Sequence, residues 1–141
     1  MINFKFILIA TISYIPFTVL WFFWHNNLFP QVYYPSPGET LQFVQGLNTQ
    51  NIWAMNFANA LLLYGMVYFF FRSIKPETTI IKPIFWGIYY NLSVFGFFDF
   101  MVLGLLNGWS WSMLFHDLLF AVLSGAVSGV IIFKLYRFFY R

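Results

Sequence analysis

Every lysine and arginine in this chain sits in one of three places: near the amino terminus (Lys5), between Arg72 and Lys82, or near the carboxyl terminus (Lys134, Arg137, Arg141). Between these clusters run long stretches rich in Phe, Trp, Leu and Ile with almost no formal charge. This pattern rules out an ordinary soluble domain. Such domains carry about 25% charged residues, whereas this 141-residue sequence carries 8% and is 61% hydrophobic. A fold of this size cannot hide so much apolar surface, so the expected solvent is lipid. The formal charge of +3 then reads as a topology signal, not a nucleic-acid footprint. The absence of cysteine excludes disulfides, thiolate metal sites and a Cys nucleophile.

The apolar runs predict four membrane spans, at about 4–24, 52–71, 84–106 and 111–133. The expected fold is all-α: one integral membrane four-helix bundle filling residues 1–141. The first span is read as retained, because its apolar run exceeds the roughly 7–15 residues of a signal-peptide core. It also ends in Trp21-Phe22-Phe23-Trp24, without a small-residue cleavage site. Pro16 is expected to kink it. The connection from His25 to Asn51 holds Pro30, Pro35, Pro37 and Gly38, so its start is expected to be irregular. Ser36-Pro37-Gly38-Glu39 reads as a capping box that opens a short surface helix ending near Gly46. Gly125 with Gly129, and Ser124 with Ser128, are small residues one turn apart that let helix backbones approach closely in lipid. They are read as packing, not as a dimerisation signal.

The loop charges set the orientation. The segments 24–51 and 107–110 contain no Lys or Arg, so both termini are expected in the cytoplasm. Trp21, Trp24, Trp53, Trp109 and Trp111 then fall at the outer interface, and only Trp86 at the inner one.

Polar residues recur at one depth. Counted from the outer ends at about 1.5 Å per residue, Thr18, Asn56, Asn59, Asp99, His116 and Asp117 all lie roughly 6–11 Å below the outer interface. An outward-facing polar layer or pocket is the expectation. A carboxylate facing lipid at that depth would cost a few kcal/mol, so Asp99 and Asp117 are expected to face the interior. No Lys or Arg lies in a span to pair with them. His116 points about 100° away from its neighbour Asp117 and is expected to meet Asp99 instead. Otherwise one acid keeps its proton, or Asn56, Asn59, Trp indoles and water bond both.

Each of these residues has a plainer reading. Asp99 and Asp117 can simply clamp two helices, and Asn56 and Asn59 can simply bond between helices. His25 and His116 are two lone histidines, a weak basis for haem or metal ligation, so no cofactor and no metal are expected. No span holds a Lys for a Schiff base. A paired-aspartate hydrolase needs its acids close together with water access, and no local motif supports one, so no catalytic residue is assigned.

Phe98-Asp99, Gly108-Trp109 and Asp117, with Gly87 and Phe95 upstream, resemble the family called domain of unknown function 2177. The spacing is ten residues from Asp99 to Trp109 and eight more to Asp117. The resemblance is best over residues 84–133. The chain departs from the family pattern at Val102, where an Asn is usual, and at Thr18, which replaces an Asp before Trp21. The resemblance implies a small four-helix protein of the bacterial inner membrane and singles out Asp99, Trp109 and Asp117. It implies no activity.

The leading expectation is a non-enzymatic multi-pass membrane protein. Its outward pocket would bind or pass a small polar or amphipathic solute, lined by Asp99, Asp117, Asn56, Asn59, Thr18, His116 and Trp109. The alternatives are a structural accessory subunit of a larger membrane complex and an intramembrane acid-dependent enzyme. The expected partners are the lipid bilayer and a homo-oligomer or larger complex, and not nucleic acid.

Overall fold

The computed structural model describes residues 3–33, 52–75, 77–105 and 109–140, and all regular structure among them is helical. The elements are α1 (Phe4–Phe23), α2 (Pro30–Tyr33), α3 (Ile52–Ser73), α4 (Ile81–Leu105) and α5 (Trp111–Tyr140). Three segments are long and apolar enough to cross a membrane: Phe4–Leu28, Ile81–Leu105 and Trp111–Tyr140. The fourth expected span forms as the 22-residue α3. Over the described residues it is not among those three. The capping box and surface helix expected over 36–46 lie outside the described residues, as do Asn107 and Gly108.

The exterior is apolar. Phe85, Phe97 and Leu105 are 65%, 70% and 73% exposed, an arrangement that hydrocarbon tolerates and water does not. Inside, Phe6, Ile9, Phe17, Leu63, Met66, Phe70, Phe120 and Ile132 build a continuous core joining α1, α3 and α5.

α4 and α5 form the tightest pair, and the reason is local. A Cβ on Gly87 would collide with the Gly125 carbonyl oxygen, and one on Gly129 with the Pro83 carbonyl. The small residues of α5 therefore let the two backbones touch, and the contact lies within the chain. Beside it, the buried Asn91 Nδ2 donates to Ser124 Oγ at 2.9 Å.

The first and last turns meet at one end. Lys5 Nζ donates to the Phe139 carbonyl at 2.7 Å, and Tyr140 OH donates to Asn3 Oδ1 at 2.9 Å. Arg137 donates to the Thr78 carbonyl at 2.8 Å, tying α5 to the turn before α4. The described basic residues gather at this end.

The element boundaries differ from expectation in two places, and the last helix takes the continuation to Tyr140 that the sequence also allowed. α4 begins at Ile81 rather than near 84, because Pro83 falls in the first turn, where its missing N–H breaks no helical bond. α5 runs on to Tyr140, held there by the contacts with the first turn. The chain after Trp24 is not irregular. It continues through one wide turn, Trp24–Leu28, in which Phe29 N donates to the Trp24 carbonyl at 3.1 Å, and then into α2.

Candidate functional site

The wide turn makes the site. Two side chains of this turn bond back to carbonyls of the preceding turn of α1. His25 Nδ1 lies 2.8 Å from the Trp21 carbonyl, and Asn26 Nδ2 donates to the Phe22 carbonyl at 3.0 Å. The His25 ring stacks on Trp21 with centroids 4.6 Å apart. Held in this way, it turns inward and is buried. Its Nε2 then lies 3.4 Å from Asp117 Oδ1 on α5.

Beneath the pair is an aromatic floor centred on Phe120, one turn along α5 from Asp117. Its ring contacts Phe17, Trp24 and His25 of the first span and Phe95 of α4, with centroids 5.5–5.9 Å apart. Asp99 of α4 is buried at 2% exposure, and Asp117 of α5 is buried as well. Both acids face the interior, as their cost in lipid requires.

Several polar atoms on this side are enclosed without a hydrogen-bond partner. They include Asp99 Oδ2, Thr18 Oγ1 and the indole nitrogens of Trp24 and Trp109. Buried polar groups are nearly always bonded, and leaving one unmade costs about 1–3 kcal/mol. An acceptor, a hydroxyl and two N–H donors at one end of the bundle call for water or a solute with polar atoms of both kinds.

The other expected site residues separate. His116 does not meet Asp99. Its Nδ1 turns back to the Ser112 carbonyl of its own helix at 2.7 Å, and its ring packs on Phe29 at 4.7 Å. Asn56 accepts from Tyr14 OH at 2.7 Å, an α1–α3 bond. Asn59 lines a different space, an apolar groove of about 500 Å³ between α3 and α4, with Leu62, Tyr90, Phe95 and Phe98. No group of three His, Asp or Glu side chains among the described residues is close enough to hold a metal ion.

His25, weighed in the sequence only with His116 as a haem or metal ligand and set aside, is the residue missing from the expected pocket. A signal was present: Thr18, Trp21 and His25 recur at spacings of three and four, one face of a helix that continues past Trp24. No family model, no curated protein and no solved structure matches the chain.

Proposed function

We propose that the protein is a four-span protein of the bacterial inner membrane, with both termini cytoplasmic and a polar pocket open to the outer side. The pocket binds or passes a small polar or amphipathic solute. The acids are Asp99 and Asp117, with His25 beside Asp117 and with Thr18, Trp24 and Trp109 supplying polar atoms. The resemblance to domain of unknown function 2177 belongs to the same proposal. One observation carries it: Asp99 Oδ2, Thr18 Oγ1 and two indole N–H groups are enclosed without protein partners at the end that holds the buried His25–Asp117 pair. A purely structural clamp gains from having such atoms satisfied.

The chain contains no cysteine, so a single introduced thiol reports cleanly. Thr18→Cys in membrane vesicles is expected to react with a membrane-impermeant thiol reagent added from the outer side. Ala10→Cys, in the closed core at 0% exposure, is expected to stay unreacted. If Thr18→Cys proves as inert as Ala10→Cys, the pocket is wrong and the structural-subunit alternative takes its place.

A further inference from the structure

The contacts of His25 fix where its protons are. A carbonyl oxygen only accepts, so the Nδ1 atom 2.8 Å from the Trp21 carbonyl carries a hydrogen. A neutral imidazole with its hydrogen on Nδ1 presents a bare lone pair at Nε2. That lone pair would face Asp117 Oδ1 at 3.4 Å, and against a carboxylate it would be repulsive. The contact is attractive only if one further proton lies between the two groups. Either Nε2 holds it, giving imidazolium and carboxylate, or Asp117 holds it, giving imidazole and carboxylic acid. Moving it breaks an N–H bond and forms an O–H bond, and no charge leaves the pair.

We propose that His25 and Asp117 form a proton-binding pair beside the buried Asp99, so that the chemical class of ligand at this site includes the proton itself. Among the described residues, three titratable groups stand at the pair. From the first span there is His25, from α4 Asp99 and from α5 Asp117. His116, also on α5, is turned to its own Ser112 carbonyl. The described lysines and arginines lie at the other end of the bundle, around the Lys5–Phe139 and Arg137–Thr78 contacts. No permanent cation from among them fixes either acid in its charged form. Asp99 stands enclosed with Oδ2 unpartnered. Exchange with bulk water rests on the outward pocket proposed above, whereas the shared proton does not.

The test is ¹⁵N nuclear magnetic resonance of the full-length chain, labelled at histidine, in lipid nanodiscs over a range of pH. The chain has two histidines, so His116 serves as an internal control. The expected result is a His25 Nδ1 that stays protonated throughout and a His25 Nε2 that changes in one step. Asp117→Asn removes the acid that shares the proton and should therefore change the His25 Nε2 signal at a given pH while leaving His116 unmoved. Asp99→Asn should change it less. It keeps the His25–Asp117 contact and therefore decides the matter if Asp117→Asn fails to fold. The proposal is overturned if His25 carries its lone hydrogen on Nε2, or if neither variant moves the His25 step relative to His116. Thiol labelling at Thr18 reads access and this titration reads the pair, so either idea can fail alone.

Discussion

Ser124 sits against Asn91 in the interior of the α4–α5 hairpin. Its hydroxyl accepts from Asn91 Nδ2, and Asn91 Oδ1 is already enclosed without a partner. Ser124→Ala therefore leaves the amide with neither end satisfied. We expect a loss of about 1 kcal/mol, at the modest scale of polar contacts between membrane helices. Asn91→Leu added to Ser124→Ala should recover part of it, since an apolar pair has nothing left to satisfy. Reversible unfolding of both variants in mixed micelles measures this, and equal loss in single and double variants would contradict it. The same scale shows what could be read from residues alone. That Asp99 and Asp117 turn inward followed from the cost of a carboxylate in lipid. Which partner each would meet did not follow. Both histidines bond the carbonyl four residues back through Nδ1, and only the packed helices show that His25 is the one whose Nε2 reaches an acid.

At the scale of the element, the α4–α5 contact depends on the absence of side chains. A Cβ on Gly125 would stand against the carbonyl of Gly87 and the Cα of Ile88. These are backbone atoms that cannot rotate aside. Gly125→Ala must push the helices apart and strand Asn91 from Ser124, with an expected loss of about 1–3 kcal/mol. Gly104→Ala is the control, because nothing lies within 4 Å of its added methyl. It should be neutral or gain up to about 1 kcal/mol from helix propensity. Comparing the unfolding midpoints of the two alanine variants checks this, and similar midpoints would mean that the close approach is not needed. The glycine spacing announced this contact in the sequence. The wide turn at Trp24–Leu28 was not announced. Depth along a helix can be counted at a fixed rise, but direction around it depends on residues per turn. His25 keeps the spacing of Thr18 and Trp21, and it is the continuation of the helix past Trp24 that brings it to face Asp117.

Across the whole molecule, charge and chemistry occupy opposite ends. The described basic residues surround the junction where Lys5 meets Phe139 and Arg137 meets Thr78, and the His25–Asp117 pair lies at the far end of the same helices. This division was legible from the first reading, because charge placement along a chain survives folding when the helices simply run back and forth. The polar layer was legible only in part. Asn56 and Asn59 share the depth of the acids, but one bonds to Tyr14 and the other lines the α3–α4 groove. Equal depth does not bring groups together when a packed core stands between them. The end-to-end division also has a consequence for insertion. Lysine and arginine near span ends hold their loops on the cytoplasmic side, so a fluorescent protein fused after Arg141 should fold and fluoresce, and a periplasm-dependent phosphatase fused there should be inactive. Replacing Lys5, Arg72, Lys75 and Lys82 together by Gln removes the bias from the first three spans while leaving Lys134, Arg137 and Arg141 at the last. A mixed population is expected, with phosphatase activity rising as fluorescence falls. If the fourfold variant keeps the fluorescence of the parent, the carboxyl-terminal basic residues alone set the topology, and the cluster at 72–82 serves packing, such as the Arg72–Tyr68 bond at 3.1 Å, rather than orientation.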